Sequence, residues 1–172
     1  MLISNDTFAS LTSNIESGKL IVNGTEEAEA EEIKEWHFHV YFFQENEKSK
    51  ESALALRRKI IELIREGFFH PVPYASFNMV PMGPHPIGSY EVWCPKEHFA
   101  RVFSWFVLNR GQHSVLVHPL TVEEMKDHAE RAVWMGTPMP LDTKWLAERL
   151  PQVPLQYPEL KMGYSAPTSS HS

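Results

Sequence analysis

The 172-residue sequence holds a single cysteine, Cys94. One thiol closes no internal disulfide, so a reducing compartment is implied and the cytoplasm is the expected location. No apolar run reaches the roughly 18 residues that a membrane helix needs. Met1 to Ser10 has no basic stretch followed by an apolar one, so no secretory leader is expected. Asn23-Gly24-Thr25 matches the glycosylation sequon, but without a secretory route it reads as chance. Basic residues are scarce as well: 16 Lys and Arg stand against 22 Asp and Glu, for a formal net charge of -6. No Lys/Arg patch is present, which argues against nucleic acid and against an anionic membrane surface as partners. A phosphate-cradling glycine loop, a G-x-S-x-G elbow and a CxxC pair are all missing. Cys94 precedes Pro95 with no activating neighbour, and an inert thiol is expected.

Histidine, in contrast, is plentiful: nine residues, several in apolar and aromatic surroundings. The rest of the composition, 42% apolar and 22% charged, is ordinary for a globular chain. The length suits one domain. Residues 1–32 are rich in Ser, Thr and Asn and end in Glu26-Glu27-Ala28-Glu29-Ala30-Glu31-Glu32, so a flexible acidic extension is expected there. Residues 33–150 carry the periodic patterns of a folded domain. Residues 151–172 are proline-rich and are expected to form a docked arm leading to a loose tail.

Trp36–Phe43 is rich in β-branched and aromatic residues and predicts a strand. Asn46–Phe68 predicts a helix with Ala53, Leu56, Ile60, Leu63 and Ile64 as its apolar stripe and Gly67 at its end. Ser76–Met82 predicts a weaker strand, placed at an edge by Pro81. A turn at Gly83–Gly88 leads to a strand over Ser89–Cys94. From Pro95, Phe99, Val102, Phe103, Phe106 and Val107 keep helical spacing, closed by Asn109-Arg110-Gly111. His113–His118 predicts a fourth strand. Thr121-Val122-Glu123-Glu124 reads as a capping box opening a third helix to about Trp134, and Asp142 as the cap of a short helix over Lys144–Leu150. The order β-α-β-β-α-β is that of an α+β, ferredoxin-like antiparallel sheet with both helices on one face and a C-terminal helical extension. Its other face needs a cover, from a second subunit or the C-terminal segment. A homodimer of the dimeric α/β-barrel type is expected.

Strand alternation puts Glu35, His37, His39 and Tyr41 on one face of the first strand and Phe38, Val40 and Phe42 on the other. The phenylalanine face suits the helices. His37 and His39, about 7 Å apart at Cα by the strand rise, then project together from the open face. Val115 and Val117 suit the helices too, which turns Ser114, Leu116 and His118 to the histidine side. Three imidazoles from neighbouring strands with a position left open suit a catalytic metal better than a structural one. A His-x-His pair can equally be a hydrogen-bonded core pair. His85, between Pro84 and Pro86, has a rigid backbone suited to presenting an acid or base, and is otherwise a surface turn residue. His128 lies in phase with Met125, Ala129 and Ala132 and faces inward; the plain alternative is a core histidine bonded to a carbonyl or to Asp127. Glu91 could supply a carboxylate ligand or a strand ion pair. Arg110 could clamp a substrate carboxylate or stabilise a helix end. His70, His98, His113 and His171 read as structural or exposed.

Trp36-His37-Phe38-His39-Val40-Tyr41-Phe42, Gly83-Pro84-His85-Pro86, Asn109-Arg110-Gly111 with Leu116-Val117-His118-Pro119, Asp127-His128 with Trp134-Met135-Gly136, and Leu141-Asp142 together resemble the DOPA 4,5-dioxygenase family, in the same order over about 34–145. The resemblance implies a small ferredoxin-like protein that opens a catechol such as DOPA beside its two hydroxyls, with dioxygen as co-substrate and a divalent metal, Fe(II) in the working enzyme and Zn(II) a possible occupant after purification. It implies His37, His39 and His118 as the metal ligands and His85 and His128 as acid or base. Arg110, Tyr41 and Trp93 are the expected substrate contacts, with Trp36 also available against the ring. Two other readings compete: a non-catalytic metal- or ligand-binding protein on the same dimeric scaffold, and a related monooxygenase. A cofactor-free monooxygenase has no use for three converging imidazoles.

Overall fold

In a computed structural model, residues 32–167 are described. The acidic extension expected over 1–32, Glu32 aside, and the tail beyond 167 lie outside them.

The chain runs β1 (Glu35–Phe42), α1 (Glu47–Arg65), β2 (Val72–Pro73), β3 (Gly88–Pro95), α2 (Lys96–Asn109), β4 (Val115–Pro119), α3 (Glu124–Ala129) and β5 (Val133–Met135), then three single 3-10 turns, at Thr143–Trp145, Pro158–Leu160 and Gly163–Ser165. The strands form one sheet in the order β2-β3-β1-β4-β5. Every pairing is antiparallel. The architecture is α+β.

The alternation in β1 sets the layers. Phe38, Val40 and Phe42 are fully buried with Ala53, Leu56 and Ile60 of α1 and Val102 and Phe106 of α2. Phe38 and Phe106 stack at 5.1 Å between ring centroids. Each such phenylalanine contributes about 1.5–3 kcal/mol by leaving water, so one strand face is enough to hold both helices. The Asn46 side chain caps α1, accepting from the Ser49 amide at 3.0 Å. Gly67 and Gly111 follow α1 and α2 with φ of +72° and +59°, the left-handed turn at which glycine avoids a Cβ clash.

Several expected elements are corrected. The edge strand is Val72–Pro73, paired with Trp93 and Val92, and not 76–82. Pro73 is tolerated there because an outermost strand needs no donor on its free side. In 76–82 only Asn78 bridges the sheet, to Ser89, since Pro81 and Pro84 remove the donors a ladder needs. Val107 is 51% exposed, so the apolar stripe of α2 stops at Phe106. The third helix ends at Ala129, well short of Trp134. The Lys126 carbonyl there accepts from both Glu130 and Arg131 amides at 2.9 Å, and the chain then pairs as β5, Val133 against Val117 and Met135 against Val115. Thr121 forms no capping box. Its hydroxyl donates to Asp127 Oδ2 at 2.8 Å and accepts from the Glu123 amide. The short helix expected over 144–150 is only the 3-10 turn Thr143–Trp145, without a side-chain cap from Asp142.

The segment 151–167 lies on the sheet face opposite the helices. The Tyr164 amide donates to Glu35 Oε1 at 2.9 Å, and Trp93 Nε1 donates to Glu35 Oε2 at 2.8 Å. The Tyr157 ring meets the Trp93 ring at 5.1 Å, and Tyr164 Oη donates to the Leu120 carbonyl. Thus the chain's own C-terminal segment covers part of the face that carries the histidines.

Candidate metal centre

Register brings the imidazoles together. His37 pairs with His118 across β1 and β4, and with Trp93 across β1 and β3. His39 pairs with Leu116 and Glu91. Because side chains of paired residues share a face, His37, His39, His118 and Glu91 all stand on the side away from the helices. All three histidines are buried. One ring nitrogen from each lies within 4.8 Å of the others. His39 Nε2 and His118 Nε2 face each other at 3.1 Å.

The donor chemistry suits a cation. His118 Nδ1 donates to the Pro119 carbonyl at 2.8 Å, which leaves the lone pair on Nε2. Burial, and the other imidazoles, hold the pKa values of His39 and His118 well below the usual range. Both rings are therefore neutral at pH 7 and offer lone pairs into one small volume. Imidazole is a favoured donor for iron and zinc.

Two more histidines close around this trio. The His85 ring lies 4.2 Å from that of His39, and the His128 ring 3.8 Å from that of His118. Tyr41, two residues beyond His39 on the same face, hydrogen-bonds His85 Nδ1 at 2.6 Å. Burial raises the Tyr41 pKa, so its phenol stays protonated and donates. Burial also depresses His85, to about 3, and lowers His128. His128 Nδ1 donates to the Glu124 carbonyl at 2.9 Å, one turn back on α3. Asp127 does not hold His128. It is buried and accepts from the Thr121 amide and from Arg131.

The other expected site residues fall elsewhere. Glu91 Oε1 sits 3.3 Å from His37 Nε2, beside one ligand candidate and not among the three converging nitrogens. Arg110 is tied to the turn before β4, where Nη1 donates to the His113 carbonyl at 2.9 Å and to the Gly111 carbonyl. Trp93 is fully buried, its indole bonded to Glu35. Trp36 packs on Phe99 at 4.6 Å, on the helix side. His113 is buried and bonds the Tyr41 carbonyl and Ser52, and the His70 and His98 rings meet at 5.1 Å. A cavity of about 430 Å³ borders the cluster through Tyr41, with Ile87, His113, Ser114 and Met139 among its lining residues.

Two residues escape a reading of the sequence alone. Trp134 pairs with Leu116 and reaches the Tyr41 ring at 5.4 Å; in the sequence it reads as the end of the third helix. Gln156 Oε1 lies 2.7 Å from His37 Nε2. No local pattern in the proline-rich arm marks it.

The profile of the Dopa 4,5-dioxygenase family matches residues 36–145, a span that includes all five clustered histidines. The chain belongs to this family. It is 53% identical over 135 residues to a DOPA 4,5-dioxygenase of Amanita muscaria, covering 78% of this chain and 59% of that protein. It is 41% identical over 123 residues to an uncharacterised 21.2 kDa protein of Botryotinia fuckeliana, covering 66% of this chain and 63% of that one. The chain thus spans about three fifths of the length of these relatives. A crystal structure of a candidate dioxygenase from Nostoc punctiforme superposes with a TM-score of 0.55 at 30% identity, covering 66% of this chain and 90% of that one. The family match stops at 145, short of the arm that carries Gln156.

Proposed function

We propose that the chain is a metal-dependent extradiol dioxygenase that opens a catechol such as DOPA. The observation that carries this reading is the meeting of His37, His39 and His118 nitrogens within 4.8 Å. Kinship with the Amanita muscaria enzyme supports the substrate. Fe(II) is the proposed cation, with Zn(II) a competitor for the same imidazoles. When bound, such a cation supplies a template for the diol, lowers the pKa of its hydroxyls and links the ring electronically to dioxygen. The reaction breaks the ring C–C bond beside the two hydroxyls and places both dioxygen atoms in the product.

The chain's own residues move the protons. His128 donates through Nδ1 to a carbonyl, so its Nε2 lone pair is free to take a proton, and His128 is the proposed base. His128 then returns that proton to the departing oxygen, and His85, which accepts at Nδ1 from the Tyr41 phenol and so carries its hydrogen on Nε2, is the proposed hydrogen-bond donor that steadies this oxygen. Both rings are neutral at pH 7, which lets each play its part without first losing a charge. Tyr41 lines the adjoining cavity, and Trp134 packs on the Tyr41 ring at 5.4 Å. Trp93 is fully buried under the arm, against Tyr157 and Glu35, so its proposed role is to seat the arm. A direct carboxylate clamp by Arg110 would require it to release the His113 carbonyl, so its proposed role is to hold the turn before β4.

The strand order β2-β3-β1-β4 supports a ferredoxin-like core over 33–150, with β5 added at one edge and the arm beginning at 151. A homodimer is the proposed assembly, since Val107 and Leu108 remain exposed at the end of α2. Among the described residues no helix is long and apolar enough to cross a membrane, and the proposed location is the cytoplasm, in keeping with the buried free thiol of Cys94.

The test is anaerobic purification, reconstitution with Fe(II), and exposure to air with DOPA or a simpler catechol. Oxygen uptake with a yellow ring-opened product is expected. Bound metal without turnover across a catechol panel would favour the non-catalytic binding protein.

A further inference from the structure

The segment 151–167 packs beside His37, outside the span 36–145 that the family profile matches. Gln156, half-buried, places Oε1 2.7 Å from His37 Nε2 and directs its amide nitrogen to Glu91 Oε1 at 3.3 Å. Glu91 Oε1 is itself 3.3 Å from His37 Nε2. Hydrogen-bond chemistry fixes the polarity of this trio. A carboxylate only accepts, so the Gln156 side that faces Glu91 must be its NH2. The side that faces His37 is then the amide oxygen, which also only accepts. His37 Nε2 must therefore carry the hydrogen, and in a neutral imidazole this leaves the lone pair on Nδ1.

We infer that Gln156 is a positioning residue for the metal centre: it fixes the tautomer and ring orientation of His37, so that a segment beyond the profile-matched span completes the site. The inference rests on the reading of His37, His39 and His118 as ligands. Outer partners of this kind set ligand basicity and angle, and their loss costs about 10–100-fold in metal affinity. The arm is well anchored for the task. Tyr157 lies on Trp93, Tyr164 on Glu35 and Leu120, and the Gly163 amide donates to Glu97.

The experiment titrates Zn(II) into the metal-free full chain against a chromophoric chelator. Gln156→Met keeps the size and removes the acceptor, whereas Gln156→Glu keeps an acceptor. The Met variant is expected to bind Zn(II) about 10–100-fold more weakly, and the Glu variant to recover most of that loss. The Co(II) visible spectrum should change in the Met variant and return towards the parent in the Glu variant. Equal or tighter binding by Gln156→Met overturns the inference, as does a Glu variant as weak as the Met one. His39→Ala separates the two levels. If it loses Zn(II) while Gln156→Met does not, only the role of Gln156 fails. If the parent chain and His39→Ala bind alike, the metal centre itself fails. Long-range 1H–15N NMR of the unaltered metal-free chain gives a variant-free check: His37 protonated on Nε2 is expected, and protonation on Nδ1 overturns the inference.

Discussion

His39 and His118 bring their Nε2 atoms to 3.1 Å across adjacent strands. One of the pair, His118, has its other nitrogen committed to the Pro119 carbonyl. Two such nitrogens can share one proton or one cation. With His37 on the same face, they make the cation the better reading.

His37→Ala, His39→Ala and His118→Ala should each lose stoichiometric Fe(II) or Zn(II), measured by metal analysis after anaerobic loading and desalting. Full metal content in both the His37 and His118 variants would contradict the ligand assignment.

Acid should weaken the metal-free protein. Burial lowers the folded-state pKa values of His39, His118, His85 and His128. The unfolded chain binds these protons below about pH 6.5 and the folded chain does not, so protons favour unfolding. Stability is complete above that pH and falls as pH drops towards the folded values. Each ring that stays neutral while its unfolded counterpart is charged costs up to about 1.4 kcal/mol for every pH unit below 6.5. Melting temperatures followed from pH 7.5 to 5 should fall. A constant or rising value would show that these rings are not held neutral.

His85→Ala should keep its metal and slow ring opening by about 10²–10³-fold, the usual worth of one hydrogen-bond donor at an oxygen that gains charge. Tyr41→Phe, which removes only the 2.6 Å hydrogen bond to His85, should retain metal with a smaller loss of rate. Single-turnover kinetics on the reconstituted protein measures both. Unchanged rates in His85→Ala would remove it from the ring-opening step.

Asp127 is a structural anchor for the helix that carries His128. It is 2% exposed and accepts from the Thr121 amide, the Thr121 hydroxyl and Arg131. Asp127→Ala leaves the half-buried Thr121 amide and hydroxyl without their partner and should cost about 1–3 kcal/mol, measured by urea unfolding. A change within a few tenths of a kcal/mol would contradict this role.

The central face of the site was legible because β-strand alternation is strict. Once Phe38, Val40 and Phe42 belong to the helices, His37 and His39 have only the other side, and Val115 with Val117 does the same for His118. The order of strands and helices followed from periodicity in the same way. What stayed hidden depends on contacts between distant segments. Val133-Trp134-Met135 continues a helical-looking stretch, and only pairing with β4 makes it a strand. Val72–Pro73 is too short to announce itself beside two prolines. Thr121 fits a capping box by spacing, yet the buried carboxylate of Asp127 captures its hydroxyl instead. The meeting of Gln156 with His37 spans 119 positions of sequence, a separation at which no local rule operates.

The most direct test is X-ray absorption at the iron edge of the Fe(II)-loaded chain, prepared without oxygen, beside the His118→Ala variant. Three imidazole nitrogens at about 2.1 Å, a usual metal–imidazole length, with one missing in the variant, is the result expected. An iron shell without histidine nitrogens, or one unchanged by loss of His118, would contradict the centre described above.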